Sequence, residues 1–252
     1  MLQVLTQLRI AGYTDTGIRR EYNQDHIAFD QGLGIAVLAD GMGGHKAGEI
    51  AAQMTVKFVL EKMQKLVLQE TSVSITGSQL LEVVSNTISS SNAELFRAQG
   101  EKEAYKGMGT TIVVTLVVGS HIYVGHVGDS RLYLYRNRTL KRLTKDHSLV
   151  QDLIDRGFYT EREARKANVR HVVTRSMGTK SDVDIDTAEI PLLPYDLLML
   201  CSDGLTDMVS DWQIAETIHE NIADLDLAAK ELITLANQNG GKDNISVILI
   251  QT

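Results

Sequence analysis

Residues 36–41 read Ala-Val-Leu-Ala-Asp-Gly, and Met42-Gly43-Gly44-His45 follow directly. A short apolar run ends on a carboxylate, and the chain then turns on glycine, which tolerates backbone angles closed to other residues. The same punctuation recurs in Gly125-His126-Val127-Gly128-Asp129-Ser130 and in Leu198-Met199-Leu200-Cys201-Ser202-Asp203-Gly204. Gly240-Gly241-Lys242-Asp243-Asn244 sets an acid just before the apolar run 245–250, and Asn23-Gln24-Asp25 sets one before 26–29. Taken singly, each Asp is an ordinary turn former. Five of them at strand ends converge if the strands share one sheet edge. Two carboxylates ~4 Å apart repel by about 4 kcal/mol at an effective dielectric of about 20, so such a cluster calls for cations. An all-oxygen ligand set selects hard ions, here Mg²⁺ or Mn²⁺. Zinc is disfavoured, because no His pair stands at ligand spacing beside these acids. Arg20, shortly before Asp25, can fork onto phosphate oxygens.

Outward from these acids, periodicity marks the elements. Residues 8–13, 26–29 and 35–39 read as strands. A helix is predicted over 49–68, with Ile50, Met54 and Phe58 four apart, and another over 79–99, where Leu80, Val84, Ile88, Ser91 and Leu95 share a face. The polar stretch 71–78 between them reads as a loop. Residues 110–118, 122–127 and 131–135 follow in quick succession, joined by short turns, and predict an antiparallel meander. Residues 145–171 are highly charged, with two short helical patterns. Val183, Ile185 and Thr187 alternate with acids as a half-exposed strand. Residues 197–201 read as a buried strand, 211–221 and 225–237 as helices, and 245–250 as a last strand. Strands interleaved with pairs of consecutive helices favour an α+β layered architecture.

Composition bounds the function. The 252 residues are 43% hydrophobic and 23% charged, which excludes wholesale disorder. Lys+Arg 25 against Asp+Glu 32 leaves a net charge of -7, which argues against a nucleic-acid-coating or membrane-adsorbed protein. The single cysteine, Cys201, cannot form an intrachain disulfide and fits a reducing compartment. The apolar stretch 112–118 is far short of the ~18–20 residues of a spanning helix. The amino terminus lacks the features of an export leader. With two prolines, Pro191 and Pro194, and no repeat or linker, the chain is expected to be one domain over 1–252, soluble and cytoplasmic.

Six motifs stand in the order and spacing of one family. They are Arg20-Glu21-Tyr22-Asn23-Gln24-Asp25, Ala39-Asp40-Gly41-Met42-Gly43-Gly44-His45, Gly107-Met108-Gly109-Thr110-Thr111, Val127-Gly128-Asp129-Ser130-Arg131, Ser202-Asp203-Gly204-Leu205 and Lys242-Asp243-Asn244. Together they resemble the metal-dependent PPM/PP2C protein phosphatases, and the Met-Gly-Gly form is similar to the bacterial branch, whose members oppose eukaryotic-like Ser/Thr kinases. The resemblance implies a four-layer α/β/β/α sandwich, two stacked antiparallel sheets flanked by helix pairs, with the metals at one end. It implies that Asp40 bridges two metals, that Asp203 and Asp243 complete the first site, and that the Gly41 carbonyl lies on the second. Asp25 acts from the outer shell, Asp129 with Asp203 matches a third metal site, and Arg20 matches the phosphate-binding arginine. The implied reaction is hydrolysis of phosphoserine and phosphothreonine in proteins by a water that the Mn²⁺ or Mg²⁺ ions activate. A monomer acting on phosphoproteins, a Ser/Thr kinase and its targets among them, is the family-like expectation.

The proton donor to the leaving alkoxide is not settled by the motifs. Where eukaryotic relatives carry His after Asp-Gly, this chain has Met42. His45 and His171 are the candidates, alongside a metal-bound water; His121 and His126 read as sheet residues. Residues 145–171 correspond to the family's flap, where Asn168-Val169 departs from the His-Pro of relatives. A cysteine phosphatase is excluded because the position for its Arg is Asp207. An EF-hand at Asp182 fails at Thr187 and Leu193. Gly128–Leu132 misses the nucleophile elbow, and no Walker A sequence occurs. The alternative from another class is a non-catalytic phosphoprotein-binding regulatory domain on the same fold, which would be expected to have lost a ligand.

Overall fold

The computed structural model describes residues 8–44, 46–69, 76–164, 167, 169 and 171–252. Its strands are β1 (Arg9–Asp15), β2 (Asp25–Asp30), β3 (Ile35–Met42), β4 (Gly109–Thr110), β5 (Ile112–Val118), β6 (His121–Val127), β7 (Arg131–Arg136), β8 (Thr139–Arg142), β9 (Asp186–Pro191), β10 (Leu197–Cys201) and β11 (Ile245–Gln251). The helices are α1 (Ala47–Gln69), α2 (Gly77–Glu101), α3 (Leu149–Asp155), α4 (Glu161–Ala164), α5 (Asp203–Thr206), α6 (Asp211–Glu220) and α7 (Leu225–Gln238). One sheet runs β1-β11-β10-β7-β8, and the other runs β2-β3-β5-β6-β9 with β4 beside β3. All the pairings are antiparallel.

Strand alternation builds the layers. In β3, Ala36 and Leu38 point into the space between the sheets, where they join Val113 and Val117 of their own sheet and Leu132, Leu200 and Ile248 of the other. Ile35, Val37 and Ala39 point the opposite way, into a second core under α1 and α2. The far sheet sends Tyr133, Met199 and Cys201 outward to meet Ile214, Ile218 and Leu232 of α6 and α7. Two sheets are thus sandwiched between two helix pairs, the expected α+β architecture. No helix among the described residues is long and apolar enough to cross a membrane.

Local signals set the helix ends. Thr76 caps α2 in a reciprocal box with Gln79, and the Asp224 side chain accepts from Leu227 N–H at the start of α7. The predicted stripe of α2 is buried as expected. In α1 the buried face centres on Ala52, Val56, Val59 and Met63, while Ile50, Met54 and Phe58 are half-buried beside it. Gly48, near its start, lies against Gly41 of β3, so the helix sits close on that strand.

Two expectations require correction, and two elements were missed. The predicted meander is a hairpin only: β5 and β6 pair through a turn at Gly119, but β7 crosses to the other sheet and pairs with β10 and β8. Both faces of β6 and β7 are buried, so neither strand carries the alternation that would reveal its sheet. The strand expected around Val183 begins only at Asp186; Val183 and Ile185 instead pack half-buried against the core under α1 and α2. Finally, β8 and the four-residue α5 were not anticipated. The first is short and charged, and the second is too short to display a helical period. His45, Asn168, Arg170 and most of the 71–78 loop lie outside the described residues.

Candidate active site

Five acids come to one end of the sandwich from separate elements. Asp25 opens β2 directly opposite Asp40 of β3. Asp129 lies in the link between β6 and β7, Asp203 opens α5 straight after β10, and Asp243 precedes β11. Asp40, Asp129, Asp203 and Asp243 line a cleft of ≈590 Å³, together with Arg20, Gly41, His171, Asp207 and Lys242.

Hydroxyls and amides hold these acids from behind. The Asp40 N–H donates to Thr111 Oγ1 at 3.0 Å, and Thr111 N–H and Thr110 Oγ1 both donate to the Asp40 carbonyl at 2.8 Å. Thr111 Oγ1 and Ser130 Oγ lie 2.7 Å apart, joining β5 to the start of β7. Ser202 Oγ donates to Asp25 Oδ2 at 2.7 Å and accepts from Ser246 N–H at 3.0 Å. Asn244 ties three loops together: its Oδ1 accepts from Gln24 N–H, and its Nδ2 donates to the carbonyls of Thr16 and Tyr22. The Gly241 carbonyl accepts from the N–H groups of Ile18 and Arg19, which brings Arg20 against Asp243. Arg20 Nη2 donates to Asp243 Oδ2 at 2.6 Å, and both side chains are partly exposed.

Electrostatics show what the cluster is suited to hold. Burial pushes Asp25 up to about 6, against the opposing hydrogen bond from Ser202. Burial and then the Asp25, Asp203, Asp129 and Asp243 carboxylates raise Asp40 well above the usual carboxylate range. Burial, followed by Asp129, Asp207 and Asp243, does the same to Asp203. Asp129 is pushed up to about 6 by burial and by Asp146. Asp25 Oδ1 is buried with no hydrogen-bond donor among the described residues. A buried oxygen without a donor, inside a set of mutually repelling carboxylates, fits divalent cations held by oxygen.

Asp207 escaped the sequence reading. It stands one turn beyond Asp203 on the same helical stretch and lies 3.6 Å from His171, Oδ2 to Nδ1. His171, Asp203 and Asp207 offer ligand atoms within 4.8 Å of one another. The four-residue spacing was visible, but it carries meaning only once α5 is known to be helical. The structure thus places Arg20, Asp25, Asp40, Gly41, Asp129, His171, Asp203 and Asp243 together, with His45 outside the described residues.

A family model described as "Protein phosphatase 2C" matches residues 18–238. A "Putative protein phosphatase 2C-type" of Streptococcus pyogenes is 39% identical over 246 residues, covering 96% of this chain and 97% of that protein. The "Serine/threonine phosphatase stp" of Listeria monocytogenes is 34% identical over 241 residues, covering 94% and 93%. A solved catalytic domain of the serine/threonine protein phosphatase PstP, in complex with two manganese ions, superposes with a TM-score of 0.84 at 32% identity, covering 97% of each chain. Fold and site together define a metal-dependent hydrolase of phosphoserine and phosphothreonine in proteins. The chain belongs to the protein phosphatase 2C family, in its bacterial branch. The carboxylates whose loss would mark a non-catalytic relative are all present, and that alternative is not favoured.

Proposed function

We propose that the converging acids are the ligand set of this phosphatase and that each side chain carries a distinct role. Asp40 with Asp203 and Asp243 would hold one divalent cation, and Asp40 with the Gly41 carbonyl would hold a second. Asp25, behind Asp40, would act from outside the ligand shell. Asp129 and Asp203 would hold a third cation. The arrival of five carboxylates from separate strand ends, where burial and the neighbouring carboxylates raise Asp40 well above the usual range, is the observation that carries this reading. Bound Mn²⁺ or Mg²⁺ supplies Lewis acidity toward the phosphoryl oxygens and an acidified water as nucleophile.

The chain's own groups do the rest. Arg20 has one N–H committed to Asp243 among the described residues, and its further N–H donors are available to phosphoryl oxygens. The alkoxide of serine or threonine is a poor leaving group and needs a proton as the P–O bond breaks. His171 lines the cleft, with Asp207 beside its Nδ1, and delivers that proton from Nε2; His45 is the other candidate. The products are orthophosphate and the free hydroxyl. A second cleft of ≈600 Å³ shares Asp129, Asp203, Asp207 and Lys242 with the first and extends beneath α3 and α4 toward α6. It supports a protein substrate whose chain runs past the phosphorylated residue.

Residues 145–171 act as a flap over that cleft within a single domain. Their two ends are closed by the Ser148–Val173 bridge and by Thr174 N–H donating to the His147 carbonyl. The bacterial kinship supports a monomer that acts on a Ser/Thr kinase and its targets.

The test is hydrolysis of para-nitrophenyl phosphate and of a phosphothreonine peptide with Mn²⁺, with Mg²⁺ and with EDTA. Turnover of both substrates, abolished by EDTA, is expected. His171→Gln is expected to slow the peptide by about 100-fold or more, yet to leave para-nitrophenyl phosphate, whose leaving group needs no proton, nearly unchanged. Equal losses on both substrates would remove His171 as the proton donor.

A further inference from the structure

His147 is buried below the cleft, at the foot of the flap. Its Nδ1 accepts from Gly128 N–H at 3.0 Å, and its own backbone N–H donates to the Gly128 carbonyl at 2.9 Å. One residue therefore grips both backbone polar groups of Gly128, the residue that precedes Asp129. Gly128 has φ +107, and a Cβ there would lie 2.6 Å from Thr111, so no other residue can take up this turn unaided.

The amide fixes the role of one ring nitrogen. A backbone N–H can only donate, so Nδ1 carries a lone pair and accepts. Nε2 lies 3.1 Å from Arg175 Nη1 and 3.4 Å from Asp186 Oδ2, and the same Arg175 nitrogen donates to the other Asp186 oxygen at 2.8 Å. The His126 ring stacks on His147 with centroids 4.7 Å apart, and its Nε2 meets the Lys145 carbonyl at 2.9 Å. Burial, then His126 and Arg175, lower the His147 pKa and keep the ring neutral. His126, His147 and Asp186 lie close enough together to suggest a metal trio. With Nδ1 committed to Gly128, however, and the Arg175 guanidinium 3.1 Å from Nε2 and bound to Asp186, the place of a cation is already taken.

We propose that His147 is a positioning residue: by accepting the Gly128 N–H it fixes the turn that presents the Asp129 carboxylate to the cleft, and so sets cation affinity at Asp129. This rests on the reading of Asp129 as a cation ligand, and the test separates the two.

The full chain, stripped with EDTA, is titrated with Mn²⁺ in a calorimeter as wild type, Asp129→Ala, His147→Leu, His147→Asn and His147→Gln. Thermal melting checks each fold. Asn places an acceptor oxygen near the Nδ1 position, whereas Gln places it near Nε2. The expected result is that His147→Leu and His147→Gln weaken one Mn²⁺ equivalent by about 10-fold to 100-fold, the range for loss of a group that orients a ligand, and leave the tighter equivalents unchanged. His147→Asn stays close to wild type. If His147→Leu does not fold, the contrast between Asn and Gln decides. Wild-type binding in folded His147→Gln, or equal losses in Asn and Gln, overturns the proposal. An Asp129→Ala variant that keeps every equivalent overturns the ligand reading itself, and this inference with it.

Discussion

Asp203 is where several demands meet in one side chain. It opens α5 at the end of a buried strand, is pushed up by burial and by Asp129, and belongs to two of the three cation positions proposed here. Asp203→Ala is expected to lower kcat/KM by more than about 100-fold, beyond what loss of even an outer partner of a ligand costs. Metal binding by calorimetry should fall with it; unaltered turnover would contradict the site. Arg20→Ala is expected to act differently. It removes charged hydrogen bonds to phosphate, so KM should rise about tenfold or more with kcat nearly kept, as steady-state kinetics would show. A loss confined to kcat would reassign Arg20 to the transition state. The acids and Arg20 were legible in the sequence because each sits in a short motif. Asp207 and His147 were not, since their roles depend on neighbours met only in three dimensions.

At the scale of elements, α5 is the piece that joins the site to the scaffold. A Cβ on Gly204 would lie 1.9 Å from the Asn244 carbonyl, so the helix start and the loop before β11 touch backbone to backbone. Gly204→Ala is expected to cost ~1–3 kcal/mol of stability and to weaken Mn²⁺ binding, because Asp203 and Asp243 are forced apart. Gly100 in α2 is the contrast, with nothing within 4 Å of an added Cβ. Gly100→Ala is expected to add up to ~1 kcal/mol through helix propensity and to leave activity unchanged. Thermal melting and Mn²⁺ titration of the two variants check the pair. Elements with a one-sided period, such as α2 and α7, were readable from spacing. Strands buried on both faces were readable as strands but not as members of a sheet, which is why β7 was placed beside β6.

The fold buries carboxylates together at one end of the sandwich, and pH exposes the cost. Asp25 and Asp129 titrate near 3.8 when unfolded and are pushed up to about 6 in the fold. Between those values the folded state holds protons that the unfolded chain has released, so stability falls as pH rises through about 6. In EDTA the melting temperature is expected to drop on the order of 5 °C between about pH 5 and about pH 7.5. Added Mn²⁺ should raise it more at the higher pH, since cations replace the protons. A flat or rising profile in EDTA would show that the acids are not strained together. By itself the sequence determined most of the strands, the long helices, the acids at their ends and the kinship, because local period and short motifs are properties of neighbouring residues. Only the tertiary structure decided which sheet each buried strand joins, that Asp207 stands beside His171, and that His147 grips the turn before Asp129. Those facts are contacts between segments far apart in the chain, and no local pattern encodes the geometry of a partner it does not contain.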